Sequence, residues 1–108
     1  MKGLLKLPEL PTGVILGNYD TTLGGIMAVN ESGLNCPRDI SIIGFDDLLM
    51  SKVIRPKLWL VSQPMREMSK RAVSMLLNRI GGEEEGGPTR VSFSAGLKEG
   101  DSVRNLGI

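Results

Sequence analysis

"DISIIGFDDLLMSKVI", Asp39 to Ile54, opens on a continuous apolar run, turns through Gly44 and Phe45, and ends on two adjacent carboxylates, Asp46 and Asp47. An unbroken apolar run with no alternation suits a strand of a parallel sheet covered on both faces. Upstream, "TGVILGN" (Thr12 to Asn18) is a second short β-branched and apolar run. Between the two, "DTTLGGIMAVNESGL" reads as a helix: Asp20 or Thr21 can cap it, Leu23, Ile26, Met27 and Asn30 fall at helical spacing, and Gly33 is the expected stop. Gly24 and Gly25 each weaken it by about 1 kcal/mol unless something packs closely there. Strand, helix and strand within about 30 residues predict a right-handed βαβ unit.

Downstream, "LWLVS" (Leu58 to Ser62) predicts a third strand and leads into "PMREMSKRAVSMLLNRI", the clearest helix of the chain. Pro64 suits its first turn, and Met65, Met68, Ala72, Met75, Leu76 and Ile80 form one apolar stripe, expected to be core, with a partner groove as the alternative. "GGEEEGGP" (Gly81 to Pro88) is a polar loop in which Glu83 to Glu85 are solvated. "TRVSFSA" (Thr89 to Ala95) predicts a last strand with Val91 and Phe93 on one face. The fold class that follows is α/β, a three-layer sandwich around a parallel sheet.

Composition removes several functions. The chain has 108 residues, one domain's length, and its 13 basic and 12 acidic residues nearly cancel, which argues against a nucleic-acid or anionic-membrane surface within it. It contains no histidine, so the usual general base, the Ser-His and Cys-His nucleophile pairs and the commonest metal ligand are missing. Cys36 is alone, so it forms no internal disulfide and no cysteine zinc cluster; it is expected to be a small, partly buried apolar residue in a reducing compartment. No apolar run reaches the roughly 18 residues of a membrane span, and "MKGLLKLPELPTG" is too short and too broken by proline for a signal peptide.

The paired carboxylates raise a functional question. In open α/β sheets, ligands bind beyond the carboxyl ends of the strands, and Asn18 and Asp46 both follow predicted parallel strands. Asparagine offers donors and an acceptor, and aspartate accepts from hydroxyls, so the pair suits a polyhydroxylated or amine-bearing ligand. The alternative from spacing alone is that Asp46 and Asp47 cap a following turn.

"CPRDISIIGFDD", followed by "RPKLWLVSQP" and "AVSMLLNRI", closely resembles the carboxyl-terminal part of the lactose-repressor/galactose-repressor family of bacterial transcription regulators. "GVILGNYDTTLGGIMAVNESGLNCP" fits the same segment, so the similarity runs from about Pro11 to Ser102. The resemblance implies a partial periplasmic-binding-protein-like type I fold: residues 1–62 as part of the carboxyl-terminal lobe, 63–93 as helix and strand of the amino-terminal lobe, and 94–108 as return strand and tail. It implies a cytoplasmic, non-enzymatic regulator with no cofactor, binding a small effector, a sugar or sugar derivative, between two lobes. Operator DNA would be read by a helix-turn-helix head that is not in this sequence.

Residue by residue, the resemblance assigns Asn18, Asp46 and Gln63 to the effector and Asp47 to a structural role. It also implies a side-by-side homodimer through Ala28, Glu31, Ser32, Leu48, Leu49, Met50, Val53 and Ile54. Tyr19 stands where the family usually has Asp, Trp59 and Leu60 replace a Thr-Thr pair, Ala95 replaces a proline, and Gly100 replaces the arginine before a terminal acid-Ser pair. Removal of the rest of such a core would expose apolar faces, so the 108-residue chain is expected to self-associate.

Two alternatives stand beside this reading. A sugar-binding protein of a transport system has the same fold, although the wording around "DISIIGFDD" favours the regulators. A metal-dependent enzyme could hold Mg²⁺ with Asp20, Asp46 and Asp47, but no lysine or phosphate-binding glycine loop accompanies them.

Overall fold

The computed structural model describes residues 1–46, 49–83 and 86–107, with the backbone alone at Met50. Its strands are β1 (Gly13–Ile15), β2 (Ser41–Phe45), β3 (Trp59–Ser62) and β4 (Gly96–Lys98), and its α-helices are α1 (Tyr19–Ser32) and α2 (Met65–Ile80). Single 3-10 turns occupy Leu4–Lys6 and Leu49–Lys52. The sheet order is β1-β2-β3-β4, and β1–β2 and β2–β3 are parallel, with Val14 opposite Ile42 and Ile43 opposite Trp59. The α/β class with a parallel sheet is therefore present.

Two compact units divide the chain: Met1–Ser62 together with Leu97–Ile108, and Gln63–Gly96. In the first unit, Leu16, Val29, Ile40, Ile42, Leu58 and Leu60 form the buried core, flanked by Met1, Leu5, Val14, Ile26, Leu34, Cys36 and Ile54. The β2 burial alternates strictly, with Ile42 and Gly44 buried and Ser41, Ile43 and Phe45 half-buried. That intermediate exposure, rather than full solvation, accounts for a strand sequence lacking polar alternation.

Helix α1 packs on β2; of the residues at helical spacing, Ile26 packs against the core and Leu23 is half-buried. Thr22, Gly25, Ala28 and Val29 are buried, whereas Met27 is 54% exposed and Asn30 is exposed. The reason lies at Gly25, where a Cβ would approach Leu16 Cδ1 to 2.5 Å. The glycine lets the helix backbone seat on the sheet, and that sets which residues rotate inward. Gly24 meets nothing within 4 Å, so only one of the pair has a packing reason. The stop at Gly33 is as expected, in the left-handed conformation (φ 76°) that closes helices.

Three further expectations need correction. The start of α1 is capped by Asn18, not by Asp20 or Thr21, because the chain is still extended at Asn18 (φ −159°) when its side chain meets the first free N–H groups. The run Thr89 to Ala95 forms no strand; the fourth strand lies just beyond it, at Gly96–Lys98. Alternation of Val91 and Phe93 supplies a β pattern, but no neighbouring strand pairs with it, and both side chains remain about 40% exposed. Helix α2 has the predicted bounds, yet no residue of it is buried: Met65 is 62%, Leu76 59% and Ile80 73% exposed. Its stripe is amphipathic as read, but no described residue buries it. Of the acidic loop, only Glu83 lies within the described residues, and it is exposed.

Candidate functional site

The site expected from sequence lies where the strands end. Leu16 donates its N–H to the Ile43 carbonyl at 2.9 Å just beyond β1, which keeps β1 and β2 paired up to the point where Asn18 and Asp46 begin. Both residues are thus at the carboxyl edge of adjacent parallel strands, as parallel pairing requires.

Asn18 is exposed and carries the capping duty expected of Asp20 or Thr21. Its Oδ1 accepts from the Thr21 N–H at 2.8 Å, and the Asn18 N–H donates to Thr21 Oγ1 at 3.1 Å, a reciprocal capping box. The Asn18 carbonyl accepts from the Thr22 hydroxyl at 2.6 Å, and Thr22 Oγ1 in turn accepts from the Phe45 N–H at 3.4 Å. Thr22 thereby ties the start of α1 to the end of β2. Oδ1 also accepts from the Thr21 hydroxyl at 2.9 Å, so the side-chain acceptor of Asn18 is engaged within the cap.

Asp46 is half-buried and has φ 75°, the one positive φ of a non-glycine residue among the described residues. Aspartate is among the few residues that tolerate this region. Its N–H donates to the Val61 carbonyl at 2.9 Å, so the turn out of β2 is anchored on β3. Tyr19, Thr22, Leu23 and Ser51 share a narrow crevice with it. At Gly44, a Cβ would lie 2.8 Å from Thr22 Cγ2 and 2.9 Å from Leu60 Cδ2, so a glycine is needed for α1, β2 and β3 to meet beneath Asp46.

Gln63 follows β3 directly and is half-buried; its carbonyl accepts from the Met65 N–H at 2.8 Å. It belongs to the second unit, whereas Asn18 and Asp46 belong to the first. Asp47 and Leu48 lie outside the described residues, as does the side chain of Met50. No group of three acidic or cysteine ligands converges among the described residues, which do not include Asp47. Cys36 is half-buried, donates to the Ser102 carbonyl at 3.4 Å, and has its thiol pKa raised chiefly by burial.

Of the residues expected at a subunit interface, Ala28 is 5% exposed, while Leu49 (78%) and Val53 (73%) stand in solvent and Ile54 packs against the core. Glu31 pairs with Lys2 at 2.9 Å, and together with Ala28 and Ser32 it borders a cleft shared with Leu5 and Lys6.

Residues 1–103 match the family model of a periplasmic binding protein-like domain. The chain belongs to the periplasmic binding protein-like domain family. Within that family its relatives are LacI-family repressors. It is 38% identical over 106 residues, 98% of its length, to the "Probable HTH-type transcriptional repressor ExuR" of Bacillus subtilis (strain 168), of which it covers 32%. It is 41% identical over 86 residues, 80% of its length, to the HTH-type transcriptional repressor PurR of Haemophilus influenzae (strain PittEE), covering 26% of that protein. A LacI family transcriptional regulator of Enterococcus faecium with bound ribose matches with a TM-score of 0.79 at 31% identity, over 96% of this chain and 38% of that one. The chain therefore spans between about a quarter and two fifths of the length of these relatives.

Ser102 closes the acid-Ser pair at the end of the resemblance, and no local pattern marks it as a functional position. The structure buries Ser102 completely and places it against β2 and β3. A fully polar residue near a chain end has no periodicity to reveal it; the signal available was the acid-Ser pair itself.

Proposed function

We propose that this chain is the carboxyl-terminal portion of the effector-binding core of a cytoplasmic, non-enzymatic, LacI-family transcriptional regulator. Asn18, Asp46 and Gln63 hold its effector, a sugar or related polyhydroxylated molecule. The observation that carries this reading is the placement of Asn18 and Asp46 at the carboxyl edge of adjacent parallel strands, the position at which α/β sheets take ligands. Related solved regulators carry bound ribose, glucose and lactose, all ligands rich in hydroxyls that an aspartate can accept from.

In this reading residues 1–62 belong to the carboxyl-terminal lobe, residues 63–93 to the amino-terminal lobe, and residues 94–108 return to the first. Operator DNA is contacted by a head outside this sequence, which fits the near-neutral charge. A homodimer forms through Ala28, Glu31, Ser32, Leu48, Leu49, Met50, Val53 and Ile54; the exposure of Leu49 and Val53 supports it, since apolar side chains grouped on a surface are covered by partners.

Titration calorimetry on the intact regulator with ribose and with glucose tests the site. One of them or a close relative binds, and Asp46→Ala weakens that binding by about 1.5 to 3 kcal/mol, the loss of a hydrogen bond to a charged group. Unchanged affinity in Asp46→Ala would remove the assignment.

A further inference from the structure

A further cleft of about 590 Å³ opens in the first unit, lined by Ser51, Lys52, Arg55, Lys57, Leu58, Leu60, Lys98, Glu99 and Asp101; it adjoins the Asp46 crevice through Ser51, Leu58 and Leu60, and its charged residues lie outside that crevice. Four cations and two carboxylates give this lining a net charge of +2, while the whole chain has a net charge of +1. Positive charge is therefore concentrated here. Lys52 and Lys57 are exposed and form no ion pair among the described residues, even though Glu99 and Asp101 border the same cleft. Arg55 is held in place, its Nη1 donating to the carbonyls of Lys52 (3.1 Å) and Ile54 (2.9 Å). The Asp101 N–H donates to the Lys57 carbonyl at 2.6 Å, which fixes the carboxyl-terminal segment against the loop before β3. Leu58 and Leu60, 3% and 4% exposed, form an apolar floor.

From this lining we infer a binding site for a phosphorylated monosaccharide. Lys52, Arg55 and Lys57 take the phosphoryl dianion, Glu99 and Asp101 accept from hydroxyls, and the leucine floor contacts the carbon skeleton. Lys52 and Lys57, without ion-pair partners among the described residues and beside Arg55, incur repulsion that an anion relieves, and a planar guanidinium pinned by backbone carbonyls presents its remaining donors without loss of rotamer freedom. An inorganic anion alone would leave most of the volume empty, and a neutral sugar would leave the cations unmatched. The carboxylates would repel a ligand consisting only of phosphates, so the mixture of signs selects a molecule with one anionic end and one hydroxylated end.

The test is titration calorimetry of the intact regulator with ribose 5-phosphate, ribose and inorganic phosphate. Ribose 5-phosphate should bind saturably, at least tenfold more tightly than either fragment, and more weakly as salt is raised. Lys52→Gln combined with Lys57→Gln should weaken it at least tenfold. Lys6→Gln combined with Lys70→Gln removes the same charge outside the cleft and should change it less than twofold. Equal loss in both double variants would show a nonspecific electrostatic effect and overturn the site. Binding that survives the Lys52 and Lys57 changes would place the ligand elsewhere, at the strand ends included, and would equally overturn it. Unaltered thermal melting of both double variants is the folding control, since all four lysines are exposed.

Discussion

Ser102 and Ile42 hydrogen-bond to each other in both directions: the Ile42 N–H donates to the Ser102 carbonyl at 2.8 Å, and the Ser102 hydroxyl donates to the Ile42 carbonyl at 2.5 Å. The same hydroxyl accepts from the Trp59 N–H at 2.8 Å, so one fully buried side chain links β2 and β3 to the carboxyl-terminal segment. The segment continues alongside β2, where the Arg104 N–H donates to Ser41 Oγ at 3.1 Å.

Ser102→Ala leaves a buried carbonyl and a partly buried N–H without partners. The expected loss is about 2 to 3 kcal/mol of stability, because unsatisfied buried groups forfeit their hydration. Denaturant titration measures it, and amide exchange at Trp59 should accelerate. An unshifted midpoint would refute the linking role.

Two glycine substitutions should act with opposite signs. Gly24→Ala meets nothing within 4 Å on α1 and is expected to stabilise by up to about 1 kcal/mol through helix propensity. At Gly100 an added Cβ would overlap the backbone of Leu58 and the carbonyl of Lys57, which cannot move without disturbing β3. Gly100→Ala should destabilise by about 1 to 3 kcal/mol. Paired thermal melts check both signs.

Asn18 can be separated into its two duties. Asn18→Asp retains an acceptor for the Thr21 N–H and adds a negative charge at a helix start, so stability should hold, while the amide donors are lost and effector affinity falls. Asn18→Ala should lose about 1 kcal/mol of stability as well, the usual worth of a cap. Calorimetry alongside melting distinguishes them; equal melting temperatures for the Ala variant and the parent would contradict the capping box.

Acid sensitivity should have a local source in Asp39. The Arg38 guanidinium, 3.0 Å from each carboxylate oxygen, together with the Asn35 N–H at 2.7 Å, lowers its pKa from 3.8 to about 2. A depressed carboxyl pKa contributes stability that is present above about pH 4 and is lost as the pH falls through about 2. The stability difference between the parent and Asp39→Asn should therefore be largest above pH 4 and close near pH 2. A difference that grew on acidification would reverse the assignment.

Periodicity and punctuation alone were enough to place the three parallel strands, both α-helices and the Gly33 stop. Those features depend on local backbone preference and on runs that only a buried sheet accommodates. The strand-end positions of Asn18 and Asp46 were legible for the same reason, since they follow from where apolar runs stop. Three-dimensional packing decided the rest. Gly25 against Leu16 set the rotation of α1, a contact between residues whose spacing in sequence carries no helical signal. Asn18 became the cap because the chain leaves β1 extended, which composition does not encode. The Met65 to Ile80 stripe has a core pattern yet lies in solvent, because an amphipathic face records that a partner surface exists and not which chain supplies it. Ser102 gained its role only when folding brought it beside Ile42 and Trp59, 60 and 43 residues away, where hydrogen bonds to buried backbone groups, rather than any local propensity, determine what the position requires.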